Sequence, residues 1–143
     1  MVPTLQSADS TLPPTAIVVS NISLQFLELY LRAPNRFFIG LNSLDPGETF
    51  TDYHLHRLYE KRAAGWNGPV PPVVFDGSGM SAEADWLASA IAENKPVFLI
   101  LAAPESQQYA DVLKSELDSL QSKFALEPLE QNRVAALYRM TTK

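Results

Sequence analysis

Short apolar runs alternate with longer periodic segments through most of the chain. The runs are continuous and rich in β-branched or aromatic residues, which is typical of strands buried on both faces of a sheet. They predict four strands, at residues 16–19, 36–39, 73–75 and 97–101. Four helices are predicted between and after these strands, at residues 22–32, 48–64, 81–95 and 105–123.

Two of the helices carry clear periodicity. In the segment that begins near Ser81, apolar residues recur at i, i+3, i+4 and i+7, and Pro96 ends the pattern. The following helix has the longest apolar stripe, formed by Tyr109, Val112, Leu113, Leu117, Leu120 and Phe124. Residues 124–129 and 133–140 are short and alternating, which predicts an antiparallel pair at the end of the chain.

A strand followed by a helix, repeated four times, predicts a mostly parallel sheet covered by helices on both faces. The fold class is therefore three-layer, Rossmann-like α/β, with a guessed strand order of 3-2-1-4 and the C-terminal antiparallel pair at the edge. Residues 1–15 combine Ser, Thr and three prolines with little periodicity, so they are expected to be a linker or disordered arm. Residues 16–143 are expected to form one domain.

Composition excludes several classes of function. The chain has 143 residues and no cysteine, which excludes disulfide scaffolds, zinc ribbons and cysteine nucleophiles. Its 11 Lys and Arg residues are outnumbered by 16 Asp and Glu, so a nucleic-acid partner is not expected. The longest apolar run, residues 97–103, is far shorter than the ~20 residues of a membrane helix, so no membrane span is expected.

Candidate binding residues follow the predicted strands, because ligands of such sheets lie at the carboxyl ends near the switch in strand order. The predicted ligand-binding residues are Ser20, Asn21, Asp76, Gly77, Ser78 and Gly79. Two glycines between a strand and a helix let backbone N–H groups approach an anion, although they equally suit a plain tight turn. The segment lacks the lysine of a P-loop, and the turn after the first strand has no glycine.

Other catalytic arrangements find little support in the residues. His54 and His56 point roughly 200° apart on a helix, so they do not share a metal ion. No Gly-x-Ser-x-Gly elbow accompanies them. Asp76 resembles the phospho-acceptor of receiver domains, but Ser20 and Asn21 stand where receivers need acids. We therefore expect no metal and no cofactor and assign no catalytic residue, which leaves open whether the chain is an enzyme.

The helix predicted after the first strand is apolar on most sides. Such a helix is either fully buried or faces another domain or subunit. A second subunit is therefore a possible partner through this segment, residues 22–31. Its apolar residues are Ile22, Leu24, Phe26, Leu27, Leu29, Tyr30 and Leu31.

Five segments together resemble a known family. They are Ala-Ile-Val-Val-Ser-Asn at 16–21, Leu29-Tyr30-Leu31, Arg36-Phe-Phe-Ile, Lys-Pro-Val-Phe-Leu-Ile at 95–100, and Val-Ala-Ala-Leu-Tyr-Arg at 134–139. Over about residues 15–140 the layout resembles the C-terminal extracytoplasmic domain of polytopic lipid-linked-sugar glycosyltransferases, of the dolichyl-phosphate-mannose mannosyltransferase and aminoarabinose-transferase type. The resemblance implies an extracytoplasmic location, and without it a cytoplasmic one is expected.

The resemblance also sets the leading functional expectation. It implies a non-catalytic accessory domain that the arm at 1–15 tethers to the membrane portion of the same polypeptide, with the catalytic acids elsewhere. One alternative is a standalone small-molecule-binding protein or enzyme that uses the loops at the strand carboxyl ends. Another is a homodimeric interaction module joined through residues 22–31.

Overall fold

The computed structural model describes residues 1–22, 24–33, 36–41, 81–104 and 106–143. The strands in these ranges are β1 (Ile17–Ser20), β2 (Phe37–Gly40), β3 (Val97–Ala102), β4 (Phe124–Gln131) and β5 (Ala135–Thr142). The helices are α1 (Val2–Thr11), α2 (Leu24–Tyr30), α3 (Ser81–Ala92) and α4 (Gln107–Lys123). The predicted helix 48–64 and strand 73–75 lie outside the described residues.

The described strands form one mixed sheet in the order β2-β1-β3-β5-β4. β1 pairs in parallel with β2 on one side and with β3 on the other. β5 is antiparallel to both β3 and β4, so β3 and β4 run in the same direction with β5 between them. The helix α4 therefore carries the chain past one strand position, and the final hairpin fills the gap.

This topology corrects the predicted sheet. The C-terminal antiparallel pair is confirmed, but the expectation of a mostly parallel sheet is wrong. The two ladders of β5 hold six and seven register pairs, against four in each parallel ladder. The guessed order 3-2-1-4 is not seen in full, because its third strand, 73–75, lies outside the described residues. Its strands 2, 1 and 4 are β2, β1 and β3, which are neighbours in that order, and the hairpin adds β5 and β4 beyond β3.

The α/β class with helices on both faces of the sheet is confirmed. One face packs against α3 and α4, whose Leu87, Ala90, Leu113 and Leu120 join a core cluster with side chains from all three parallel-paired strands. The other face packs against α1 and α2. Alternate residues of β1 and β3 enter opposite clusters, as the two-residue period of a strand requires.

The first residues of the chain differ from the expected linker or arm. They form α1, with Pro3 in the first turn, where its missing N–H costs no hydrogen bond. Leu5 and Ala8 are fully buried and Leu12 is nearly so, and all three join the core cluster on the α2 face. Thr4 is also buried, and its hydroxyl accepts a 2.8 Å hydrogen bond from Asn132 in the β4–β5 turn. Residues 1–12 therefore belong to the helical layer that packs on this face of the sheet.

A buried arginine joins the end of α1 to the start of β2. Arg36 is 2% exposed and forms an ion pair with Asp9. Its Nη2 donates to the backbone carbonyls of Asp9 at 2.8 Å and Leu12 at 2.6 Å, and its Nε donates to Pro13 O at 3.3 Å. These carbonyls lie in the last turn of the helix, at its C-cap and just beyond it, where a cation is favourable. Arg36 thus provides hydrogen-bond donors for carbonyl groups at the C-terminal end of α1.

The apolar character of residues 22–31 is largely explained by the core. Ile22, Leu27 and Leu31 are buried between α2 and the sheet, whereas Leu29 is 61% exposed. Most of the described apolar side chains that suggested a second subunit therefore pack against the chain's own core. Association through this segment remains a prediction.

Candidate functional site at the carboxyl edge

The candidate site lies at the carboxyl ends of β1 and β3, where the chain leaves the two strands toward opposite faces of the sheet. The connection from β1 to β2 runs through α2, whose Leu27 and Leu31 pack on one face of the sheet. The connection that leaves β3 runs through α4, whose Leu113 and Leu120 pack on the opposite face. Because β1 and β3 are adjacent and parallel, their carboxyl ends lie side by side at the same edge of the sheet. This is the topological switch point at which ligands of open α/β sheets bind.

Ser20 is at this switch point, but its side chain is used inside the fold. It is the last residue of β1 and is fully buried. Its Oγ donates to the carbonyl of Ile100 on β3 at 2.6 Å and accepts a 3.0 Å hydrogen bond from the Ile22 amide. The hydroxyl therefore caps the turn that leads into α2 and holds it to β3.

Asn21 spans the same gap with its side-chain amide. Nδ2 donates to the carbonyl of Ala102 at 2.9 Å, and Oδ1 accepts from the Ala102 N–H at 2.8 Å. The amide group thus takes the place of a backbone partner for the last residue of β3. It links the two strand ends although the main chain has already turned away from the sheet, and it remains only part-buried.

The neighbouring strand ends are also fixed by backbone hydrogen bonds. The Leu41 amide, just after β2, donates to Ser20 O at 2.8 Å, and the Ala103 amide, just after β3, donates to Val134 O at 2.9 Å. Ala103 and Pro104 are exposed beyond this point. These hydrogen bonds fix the ends of β1, β2 and β3 relative to one another at this edge of the sheet.

The structural role of Asn21 gives a prediction. Replacing it by alanine removes both hydrogen bonds to Ala102, so Asn21→Ala is expected to lower the free energy of unfolding by about 2 kcal/mol. Asn21→Asp keeps the acceptor but sets a carboxylate against the Ala102 carbonyl, so it is expected to cost at least as much. Urea unfolding at pH 7 measures both. Gln108→Ala, at an exposed amide of α4, is the matched control, and equal midpoints for Asn21→Ala and this control would contradict the bridge.

The remaining sequence-predicted site residues are not placed by the structure. Asp76, Gly77, Ser78 and Gly79 lie outside the described residues, as do His54 and His56. Of the six predicted residues, the structure brings Ser20 and Asn21 together at the end of β1. Their ligand-binding role, and that of the loop at 76–79, remains a prediction.

The described residues contain neither a metal-binding cluster nor a membrane-spanning helix. No three His, Asp or Glu residues of this part lie close enough to hold a metal ion. None of the helices of the same ranges has the length and apolar character to cross a bilayer.

Comparison with known proteins gives one structural likeness. The chain is similar to the crystal structure of a release factor-specific protein-(glutamine-N5) methyltransferase from Alicyclobacillus acidocaldarius, with 12% sequence identity and a TM-score of 0.36. The alignment covers 98% of this chain and 89% of that chain. No family model and no curated protein matches the sequence. A likeness at this level assigns no activity.

These comparisons correct the expected family. The resemblance to the extracytoplasmic domain of lipid-linked-sugar glycosyltransferases is wrong: no family model matches the sequence, and the solved structure found to be similar is not a glycosyltransferase. The segments that suggested it are short strand and helix patterns that recur in many α/β proteins. The accessory-domain function that the resemblance implied is therefore wrong, and the location of the protein stays a prediction.

Proposed function

We propose that this chain is a small-molecule-binding α/β protein whose ligand lies at the carboxyl edge of the sheet, between the ends of β1 and β3. The observation that carries the proposal is the switch point itself. The chain leaves the carboxyl end of β1 toward α2 on one face and the carboxyl end of β3 toward α4 on the other, so the two connections diverge at this edge of the sheet. Switch points of this kind are a preferred position for ligands in α/β folds.

The described residues supply rigidity and hydrogen-bonding groups rather than charge. Residues 20–22, 41 and 102–104 include no ionisable side chain. Asn21 keeps one amide hydrogen beyond the one it donates to Ala102, because an amide nitrogen carries two. A ligand at this edge is therefore oriented by hydrogen bonds, and the charged contact comes from another segment.

Asp76 is the residue that we expect to make the charged contact with the ligand. It follows the predicted strand 73–75, and a strand parallel to β2 would bring its carboxyl end to the same edge. The adjoining Gly77, Ser78 and Gly79 add a hydroxyl and sterically accessible backbone N–H groups. An acid beside N–H and hydroxyl donors suits a ligand that has hydroxyl or amine groups as well as acceptors. Sugars, nucleosides and amino alcohols have this chemistry.

The proposal is tested by thermal unfolding of the full chain with a library of sugars, nucleosides and amino alcohols. A ligand present at about 100 times its Kd adds about 2.7 kcal/mol to the stability. Compounds that stabilise the unsubstituted protein are expected to stabilise Asp118→Asn equally, because Asp118 is an exposed residue of α4. The same compounds are expected to lose at least tenfold in affinity for Asp76→Asn.

Two outcomes oppose the proposal. One is that every stabilising compound binds Asp76→Asn and Asp118→Asn with the same Kd. The other is that no compound of these classes stabilises the unsubstituted protein. Far-ultraviolet circular dichroism of Asp76→Asn without ligand confirms that the variant is folded before its affinity is compared.

A further inference from the structure

The turn between β4 and β5 lies at the same edge of the sheet as the proposed ligand site. Because β5 is antiparallel to β3, its first residue, Ala135, pairs with Ala102, the last residue of β3. The turn therefore borders the segment through which the chain leaves β3. The Val134 carbonyl accepts a 2.9 Å hydrogen bond from the Ala103 amide, so the turn and this segment are joined directly.

The end of β3 is held from both sides. The N–H groups of successive strand residues point to opposite neighbours. The Ala102 N–H donates to Asn21 Oδ1 on the β1 side, and the Ala103 N–H donates to the Val134 carbonyl on the β5 side. Pro104 follows and has no N–H, so the Ala103 amide is the last backbone donor before residue 105. The bond from Ala103 to the turn therefore fixes the direction in which the chain leaves the site.

The side chain of Asn132 holds the turn in place. Its Oδ1 accepts hydrogen bonds from the Val134 N–H and the Ala135 N–H, each at 3.0 Å. The backbone N–H of Asn132 also donates to the Ala135 carbonyl at 2.9 Å. Asparagine side chains bond to backbone groups of their own turn in this way. The orientation of the Val134 carbonyl, and with it the anchor of Ala103, is therefore set by Asn132.

The helix α1 in turn orients Asn132. Asn132 Nδ2 donates a 2.8 Å hydrogen bond to Oγ1 of Thr4, 128 residues away in sequence. Thr4 is fully buried, and its neighbour Leu5 belongs to the core cluster on this face of the sheet. The packing of α1 therefore fixes the position of the hydroxyl. Because the amide group is planar, this bond also determines that Oδ1 faces the turn.

We propose that Asn132 is a positioning residue of the carboxyl-edge site and that its hydrogen bond to Thr4 couples the packing of α1 to ligand binding there. This inference rests on the proposed function, since it takes the edge between the ends of β1 and β3 as the ligand site. Asn132 acts through Val134 and Ala103 rather than by touching the ligand. By linkage, a bound ligand also favours the state in which α1 is packed on the sheet.

The turn is a suitable element for such coupling because it can open without disturbing the core. Asn132, Arg133 and Val134 are exposed, so water replaces the hydrogen bonds that are lost when the turn opens. Substitutions here are therefore expected to shift the population of the ordered turn and to leave the sheet folded. The expected effects on affinity are severalfold rather than complete.

Four substitutions separate the hydrogen bonds from the packing. Thr4→Val keeps the buried volume and removes the hydroxyl, whereas Thr4→Ser keeps the hydroxyl. Asn132→Ala removes the three side-chain hydrogen bonds. Asn132→Asp keeps the acceptor for the turn, and its carboxylate can accept from the Thr4 hydroxyl. Thr11→Val is the matched control on α1, because the Thr11 hydroxyl donates within the helix, to Ser7 O at 2.9 Å.

The first measurement is amide hydrogen exchange of the full chain without added compound. Asn132→Ala and Thr4→Val are expected to speed the exchange of the Ala103 amide by about fivefold or more, through local opening. The amide of Leu99, in the middle of β3, is expected to keep its rate, which distinguishes local opening from a general loss of stability. Thr4→Ser, Asn132→Asp and Thr11→Val are expected to keep the original rate at Ala103.

The second measurement is the Kd of the sugar, nucleoside or amino alcohol that most stabilises the unsubstituted protein. Asn132→Ala and Thr4→Val are expected to weaken its binding by about fivefold. Thr4→Ser and Thr11→Val are expected to leave the Kd unchanged. Saturation with the same compound is expected to slow exchange of the Leu5 amide, which donates to Met1 O in the first turn of α1, and Thr4→Val is expected to abolish this slowing.

Three results would overturn the inference alone. They are an unchanged Kd in both Asn132→Ala and Thr4→Val, an equal loss of affinity in Thr4→Ser and Thr4→Val, and an Ala103 exchange rate that none of the substitutions changes. In these cases the proposed function stands as long as the compound still depends on Asp76. A compound that binds Asp76→Asn with the original Kd, or a screen without any binding compound, contradicts the proposed function and this inference with it.

Discussion

Deleting residues 1–12 is expected to lower the free energy of unfolding by about 5 kcal/mol or more. Leu5 and Leu12 are almost wholly buried, and each such side chain contributes roughly 1.5–3 kcal/mol by leaving water. The deletion also uncovers apolar residues of the sheet and removes the ion-pair partner of Arg36. A loss of this size approaches the whole stability of a typical domain, about 5–15 kcal/mol.

Urea unfolding of the full chain and of the shortened chain measures this loss. Gln6→Ala, at an exposed position of α1, is the matched control and is expected to change stability by less than about 0.5 kcal/mol. An unchanged unfolding midpoint in the shortened chain would mean that residues 1–12 are a linker after all. That result would contradict the packing of α1.

Replacing Asp9 by asparagine is expected to cost about 3 kcal/mol, the second large effect. The substitution leaves the guanidinium of Arg36 buried without its counter-charge, and an uncompensated buried charge is strongly destabilising. Arg36→Met is expected to have a smaller electrostatic cost, because the Asp9 carboxylate that remains is 35% exposed and is solvated by water. Arg36→Met still leaves three carbonyl oxygens without their donor.

The double variant separates these effects. In Asp9→Asn with Arg36→Met neither charge remains, so its cost is expected to fall below the sum of the single costs by about 1–3 kcal/mol. Chemical denaturation of the three variants and the unsubstituted chain gives this coupling. Additive costs would show that the pair contributes no interaction energy.

The same pair predicts a pH dependence. The hydrogen bond from Arg36 lowers the pKa of Asp9, helped by the Arg32 amide and opposed by burial. A carboxyl whose pKa is lower in the folded state contributes its full stability above its unfolded pKa of about 3.9, and loses it as the pH falls through the folded value. The stability difference between the unsubstituted chain and Asp9→Asn is therefore expected to be constant above about pH 5 and to shrink below pH 4. A difference that grows on acidification would contradict the ion pair.

The elements with strong local patterns could be predicted from sequence. The apolar run 97–101 is β3, the stripe of Leu113, Leu117 and Leu120 is the buried side of α4, and the final alternating segments are the β4–β5 hairpin. In each case the apolar residues occupy the positions that face the core. These positions recur about every 3.6 residues in a helix and every two residues in a strand, so the pattern is visible in the sequence.

The helix α1 was missed because its core side is narrow. Leu5, Ala8 and Leu12 are spaced at i, i+3 and i+7, and Pro13 and Pro14 mark the end of the segment. The segment also contains many polar residues and prolines, and this composition predicts a linker more strongly than the narrow apolar stripe predicts a helix. The spacing was the signal that could have identified the helix.

Long-range pairings could not be predicted. Asp9 meets Arg36 across 27 residues, and Asn21 meets Ala102 across 81. The position of Ser20 and Asn21 at a strand end followed from sequence, but their hydrogen bonds to β3 depend on the register of β1 with β3.

The most direct test of the proposed site is the location of a bound compound on the full chain. Amide shifts of the ¹⁵N-labelled protein are followed with any sugar, nucleoside or amino alcohol that stabilises it. A ligand at the switch point is expected to shift the side-chain amide of Asn21 and the backbone amides of Ile22 and Ala103 more than any others among the described residues. Bound compounds that leave these three signals unchanged and shift only residues at the amino edge or on α4 would contradict a site at the carboxyl edge.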